Sequence, residues 1–183
     1  MARILWVGAL ALATAIAQAG EPVPSADYAW PNLTDFLKQL VGKVGPPVKV
    51  YKLSMDRDGK VDLWIQDQAH PDLIDSYEYD HGKVEGPIPI KFEHYPSVAA
   101  LDHHVIELTT IDFPRLPDML ATARAKLGLP DGRVVLIELE RGDSSGFISL
   151  TDSPIWTFHL DSARHDGRVE FTLGGKVLDV DKD

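Results

Sequence analysis

The chain has 183 residues, with 18 Lys and Arg against 28 Asp and Glu, and it contains no Cys. The lack of cysteine excludes a disulfide scaffold, a thiolate metal site, a cysteine nucleophile and a lipid-modified cysteine. A formal net charge of −10, without a cluster of basic residues, disfavours nucleic acid and anionic membrane surfaces as partners, but it is compatible with a basic protein or a cation.

The N-terminus has the pattern of a secretory signal peptide. Arg3 precedes an apolar run from Ile4 to Ile16, and Ala17-Gln18-Ala19 follows. A transmembrane helix needs about 20 apolar residues, so this run is too short to be an anchor. We therefore expect residues 1–19 to be a signal peptide cleaved after Ala19, which leaves a periplasmic or secreted protein without a membrane span.

The rest of the chain contains one pattern twice. Trp30 to Leu37 reads aromatic-Pro-x-Leu-x-Asp-apolar-Leu, and Phe113 to Leu120 repeats that string. Residues 76–85 are echoed in the same way by residues 157–170. Internal repetition predicts an architecture built from similar units, although it does not name a reaction.

In each copy, the spacing of the apolar residues fits a helix first and strands afterwards. In the first copy an apolar stripe with helical spacing runs from Leu33 to Val44 and ends at Gly45-Pro46-Pro47; the second copy has its stripe from Leu116 to Leu127. Alternation with a period of two then predicts strands, and Asp58-Gly59 predicts a tight hairpin between two of them.

These elements predict an α+β fold made of two tandem repeats, each a helix followed by an antiparallel sheet of three to four strands. The predicted boundaries are residues 27–92 for the first repeat, 93–109 for a linker and 110–183 for the second repeat. Within the linker, residues 97–104 favour a short helix and residues 105–108 an edge strand.

The second copy carries a family resemblance. From Leu116 to Val180 it has a helix, Leu-Gly-Leu-Pro, the segment VVLIELERG, two hairpins and the ending GGKVLDV. This order resembles the PepSY-like α/β unit of exported bacterial proteins, while the first copy has EGPIPI at the place of that ending. The resemblance implies a periplasmic binding or protease-regulating role. The tandem plan is also similar in architecture to the β-lactamase inhibitory proteins, which implies protein inhibition by an open sheet surface.

No motif predicts catalysis or a cofactor. Asp56-Arg57-Asp58-Gly59 begins like a calcium loop, but Val61 stands where the loop needs Gly and Asp67 where it needs Glu, so a hairpin is the better interpretation. The serines at 144 and 145 lie between glycines with strands predicted on both sides, which does not fit a nucleophile elbow. His94, His103 and His104 do not have the spacing of a known metal motif.

The aromatic residues on polar strand faces are the best candidates for a binding surface. Trp64 alternates with Val61, Leu63 and Ile65 and so shares the opposite, open face with Asp62 and Gln66. An exposed aromatic side chain among polar ones is typical of a binding hot spot. The alternative is that the other sheet or the linker covers these rings. The predicted partner contacts are Trp64, Asp62, Gln66, Phe147, Glu138 and His159.

The leading hypothesis is an exported, non-enzymatic binding or inhibitor-type protein that binds a protein or peptide partner on its open sheet face. It predicts no catalytic residue, no metal and no cofactor. Two alternatives stay open at this point: a small metal-dependent hydrolase with a site between the repeats near His94, His103 and His104, and a structural component of an envelope complex.

Overall fold

A computed structural model describes residues 28–91, 98–141 and 153–182. The predicted signal peptide, His94 and Phe147 lie outside these ranges. In the described parts of the chain, no helix has the length and apolar character needed to cross a membrane.

The first half of the structure is a helix followed by four strands. Helix α1 spans Leu33–Val44. It begins where the Asn32 side chain accepts a hydrogen bond from the backbone N–H of Asp35 (3.0 Å) and ends at Gly45, which takes φ +81°. The strands are β1 (Lys49–Asp56), β2 (Val61–Gln66), β3 (Ile74–Asp80) and β4 (Lys83–Ile90).

Short elements connect this half to a second helix with four strands. They are α2 (Val98–Asp102), β5 (Ile106–Glu107) and two 3₁₀ turns (Leu108–Thr110 and Phe113–Arg115). Helix α3 spans Leu116–Leu127, with Pro117 in its first turn, and it ends at Gly128 in the left-handed conformation. The last strands are β6 (Arg133–Arg141), β7 (Pro154–Asp161), β8 (Asp166–Thr172) and β9 (Val177–Lys182).

The nine strands of the described residues join one antiparallel sheet in the order β4-β3-β2-β1-β6-β7-β8-β9, and β5 pairs with the beginning of β1. The joint between the halves is the β1–β6 pair, which runs from Lys52 opposite Glu140 to Asp56 opposite Leu136. The predicted fold class, α+β with two tandem repeats and a sheet of three to four strands in each, is therefore wrong. The fold is dominated by a single sheet, because β1 and β6 satisfy each other's backbone groups instead of remaining edges.

Both long helices cover the same face of this sheet and share one core. Phe36 and Leu40 of α1, and Leu116 and Met119 of α3, belong to one buried cluster with the inward residues of the strands. Phe113 connects the two halves within it.

The Phe113 ring lies edge-on to Phe36 (centroids 6.5 Å apart) on one side and to Trp156 (6.3 Å) on the other. Since Phe36 and Trp156 are fully buried, this chain of aromatic rings links α1, the connecting segment and β7 through a dry interior.

The two copies of the repeated string start the two long helices, as the sequence predicts, but their aromatic residues have different roles. Phe113 is buried, whereas Trp30 is half-buried and packs edge-on against Tyr28 at 4.6 Å. The short helix and strand predicted between the copies are present as α2 and β5. The domain boundaries at 27–92, 93–109 and 110–183 stay a prediction.

Candidate functional site

The sheet face opposite the two long helices carries a line of acidic residues from one edge of the sheet to the other. Side chains of directly paired residues in neighbouring strands lie side by side on one face. Seven successive residue pairs connect β9 to β4 without a gap. We call these eight residues the acidic row: Asp179, Glu170, Thr157, Glu138, Ser54, Asp62, Glu78 and Glu85.

Basic residues flank the acidic row but do not neutralise the face. Lys60 Nζ lies 2.9 Å from Glu78, Lys83 Nζ lies 2.7 Å from Glu85, and Arg168 lies 3.6 Å from Glu170. With Lys52, that makes four Lys or Arg beside the six carboxylates of the row, and Glu140 and Asp181 add two more carboxylates. The open face therefore has an excess of negative charge.

Glu138 is the centre of this arrangement. It is 8% exposed, and its carboxylate lies 2.7 Å from Lys52 Nζ of β1 and 3.4 Å from His159 Nε2 of β7. Interaction with His159, and then with Lys52, lowers the pKa of the Glu138 carboxyl to about 2 against the opposing effect of burial. Burial acts to lower the pKa of Lys52, but its hydrogen bond to Glu138 and the charge of Glu140 raise that pKa on balance.

Trp64 and Asp62 lie together on the open face, as predicted. The Trp64 ring is half-buried and stacks on Tyr51 of β1, with centroids 6.2 Å apart and an interplanar angle of 13°. It packs against a small second cluster of Ile74, Leu101 and Val105. Asp62 is exposed enough to meet a partner, with 44% of its side chain accessible, although burial raises its pKa. The segment from α2 to β5 therefore covers one end of the open face. Within the acidic row, Asp62, Glu78, Glu85 and Asp179 are accessible, whereas Thr157 and Glu138 at its centre are buried.

Gln66 has a different environment from the other predicted contacts. It is 3% exposed, and its amide donates to the Pro71 carbonyl (2.8 Å) and to Asp102 Oδ1 (3.1 Å). Asp102 also pairs with Lys49 at 2.9 Å. Gln66 thus fastens α2 to the sheet, since a buried amide needs such partners.

The structure brings together two predicted contacts, Glu138 and His159, and adds residues that the sequence did not single out. Lys52, Glu78, Arg168, Glu170 and Asp179 belong to the same surface. Their alternation with apolar residues placed each of them on the polar face of its own strand. The continuous row depends on the β1–β6 register, which places Ser54 opposite Glu138 and which the sequence does not predict.

The other candidate sites contribute little to this surface. Asp56 Oδ1 accepts hydrogen bonds from the backbone N–H groups of Asp58 (2.9 Å) and Lys60 (3.0 Å), which confirms the hairpin interpretation of that segment. His103 and His104 are exposed at the turn after α2. Among the residues that the structure describes, no group of three or more His, Asp or Glu could hold a metal ion; His94 is outside them.

Comparison with known proteins gives a fold relative and no family. No family model matches the chain, and no curated protein matches it. The chain is similar to the crystal structure of a "putative lipoprotein" from Clostridium difficile 630, with a TM-score of 0.57 and 16% sequence identity over 90% of this chain and 100% of that one. At that identity the likeness shows the fold alone.

Proposed function

We propose that this chain is an exported, non-enzymatic binding or inhibitor-type protein that binds a basic protein or peptide on its open sheet face. The acidic row is the observation that carries the proposal. Six of its eight positions are carboxylates, and they extend over the full width of the sheet. A surface of one charge sign attracts a partner of the opposite sign and orients it on approach.

Apolar side chains beside the row offer anchoring contacts. Trp64 is paired with Ser76, and Ser76 is paired with Ile88. These three residues therefore form a second line across β2, β3 and β4, parallel to the acidic row and beside it. Ile88 is 63% exposed, and Trp64, on the other side of Ser76, is half-buried and keeps part of its ring accessible. An aromatic or aliphatic anchor surrounded by polar groups is the usual composition of a binding hot spot.

Several side chains of the open face are already ordered without a partner. Glu138 and Lys52 are held in a short ion pair, and Trp64 is stacked on Tyr51. Groups that are already ordered lose less conformational entropy on association. Rigid β-strands, rather than loops, position all of these side chains.

Export and family membership are part of the proposal. The pattern of Arg3, the apolar run and Ala17-Gln18-Ala19 supports a signal peptide, and the fold relative carries the description "putative lipoprotein". The resemblance of the second half to the PepSY-like unit supports a binding or protease-regulating role in the envelope.

Charge reversal on the row tests the proposed function. The probe is a fluorescently labelled Lys-rich peptide, compared with the same peptide in which Glu replaces Lys, and the measurement is fluorescence anisotropy at low and at physiological salt. Asp62→Lys with Glu78→Lys should weaken binding of the Lys peptide by about tenfold or more. Trp64→Ala should weaken it without changing its dependence on salt.

The control has the same change of charge elsewhere. Asp72 and Asp131 are exposed loop residues outside the row, so Asp72→Lys with Asp131→Lys alters the net charge of the molecule equally. This variant should retain binding within about threefold, because its charges lie outside the row and solvent and salt screen them. Equal losses in both double variants, or equal binding of the Lys and Glu peptides, would refute the proposal.

A further inference from the structure

The two edges of the sheet are built differently. β4 contains Pro87 and Pro89, which have no N–H to offer. Proline is a common means of protecting an edge from further strands. Both edge strands have one irregularity in their pairing, between Ser76 and Glu78 for β4 and between Glu170 and Phe171 for β9. β9, at the other edge, has neither Pro nor Gly from Val177 to Lys182. Within the described ranges it pairs only with β8.

The side chains of β9 present different chemistry on the two faces of the sheet. Val177 and Val180 pack against the main core on the helix side. Asp179 and Asp181 are paired with Glu170 and Arg168 and so lie on the open face. Leu178, at the irregularity between Val177 and Asp179, is 45% exposed. A strand added beside β9 would therefore meet apolar side chains on one face and carboxylates on the other.

Asp179 is the end of the acidic row, and it forms no ion pair with any residue that the structure describes. A hollow of about 220 Å³ lies nearby, and Asp161, Asp166 and Asp181 contribute to its lining together with His159 and Arg168. These features favour a cationic donor from outside the chain.

We infer that the β9 edge accepts an extended peptide segment of the partner as an additional antiparallel strand, with basic side chains on the open face and apolar side chains on the helix side. The inference adds a second surface to the proposed function and rests on its choice of a basic partner. A second copy of this chain is the poorer occupant, since antiparallel pairing of two β9 strands would bring their aspartates close together.

The peptide Ac-(Lys-Val)4-NH2 is the probe, and hydrogen exchange of the whole chain followed by NMR is the measurement. An isomer with four Lys followed by four Val has the same charge but cannot separate Lys and Val onto two faces. The alternating peptide should slow exchange of β9 amides while leaving those of β4 unchanged, and the isomer should bind at least about fivefold more weakly.

Two N-methylated peptides distinguish strand addition from binding by charge alone. In an added strand, alternate backbone N–H groups point to opposite edges, and only one edge pairs with β9. One peptide is methylated at the amides of all Lys and the other at the amides of all Val. One of the two should lose the protection of the β9 amides, and the other should keep it. Asp179→Lys with Asp181→Lys should reduce affinity by about tenfold, whereas Asp72→Lys with Asp131→Lys should not.

The outcomes separate this inference from the proposed function. One outcome overturns strand addition and leaves face binding intact. In that outcome Asp62→Lys with Glu78→Lys weakens binding of the Lys peptides, neither methylation pattern affects it, and the β9 amides are not protected from exchange. Protection of β4 instead of β9, or dimerisation through β9 without peptide, also overturns it. Loss of all binding of Lys peptides to the unaltered chain overturns both.

Discussion

A carboxylate near the middle of the open face is kept charged by its neighbours although it is almost fully buried. An isolated buried Glu would take up a proton, because burial penalises the charged form. Glu138 instead has a pKa of about 2, since His159 and Lys52 both interact with its carboxylate. These three side chains come from β6, β7 and β1, so the charge state of one residue depends on three strands being paired.

This arrangement predicts a specific acid sensitivity. The pKa of Glu138 is below its usual value of 4.5 in the folded protein, so its stabilising contribution is fully present above about pH 4.5. It is lost as the pH falls from about 4.5 towards 2, and by linkage it amounts to about 3 kcal/mol. Urea unfolding between pH 7 and pH 2.5 should show this loss in the original chain and a much shallower one in Glu138→Gln.

Glu85→Gln is the matched control for that prediction. Glu85 also pairs with a lysine, Lys83 at 2.7 Å, but both side chains are exposed, and solvent screens such pairs. Its profile of unfolding free energy against pH should coincide with that of the original chain. A Glu138→Gln profile as steep as the original between pH 4.5 and 2.5 would show that other carboxylates cause the acid sensitivity.

At the scale of single elements, the hairpins show why two turn glycines are not equivalent. Gly59 closes the β1–β2 hairpin with φ +80°, and Gly82 closes the β3–β4 hairpin with φ +79°. A Cβ on Gly59 would overlap the Ala29 carbonyl oxygen, whereas a Cβ on Gly82 would meet nothing within 4 Å. Backbone conformation is therefore common to both turns, and close packing is specific to the first.

Alanine at each turn separates these two effects. Gly82→Ala should cost only the strain of a left-handed residue, about 1 kcal/mol. Gly59→Ala should cost about 3 kcal/mol, because the segment before α1 must also move away from the hairpin. The free energy of unfolding in urea measures both. Equal costs would mean that the Ala29 segment yields freely and that packing at Gly59 contributes nothing to stability.

Several of the elements, including both long helices, could be predicted from sequence, because they carry their own periodic signal. The stripe from Leu33 to Val44 became α1 over that range, and the alternation around Trp64 correctly placed it with Asp62 on one face. The local sequence of a strand does not show which other strand pairs with it outside its own hairpin. Hence Lys52 could not be connected with Glu138, and Gln66 could not be distinguished from an exposed contact.

For the whole molecule, the most consequential interface is the pair of central strands. β1 and β6 have similar alternating patterns, and either could be an edge strand in a smaller sheet. In the structure Leu53 lies opposite Leu139 and Met55 opposite Ile137, all fully buried. Neither half can keep this apolar face out of water on its own, because each supplies one side of the joint.

A chain consisting only of residues 110–183 should therefore not behave as an independent domain. It would expose the edge of β6 with Ile137 and Leu139, so we expect it to be unfolded or self-associated. Circular dichroism during heating and size-exclusion chromatography at several concentrations measure this. Coexpression with residues 20–109 should restore a 1:1 complex; a monomeric fragment with the thermal midpoint of the full chain would contradict the prediction and support the boundary at 110.

The aromatic chain from Phe36 through Phe113 to Trp156 has an optical consequence. Trp156 is fully buried, and its indole N–H has no hydrogen-bond partner, so its intrinsic emission lies at the blue end of the tryptophan range. Water reaches this ring only when the two halves of the core separate. In a variant with Trp6, Trp30 and Trp64 replaced by Phe, a red shift of the emission during unfolding therefore reports when Trp156 meets water, so this ring is a spectroscopic probe of the opening of the core.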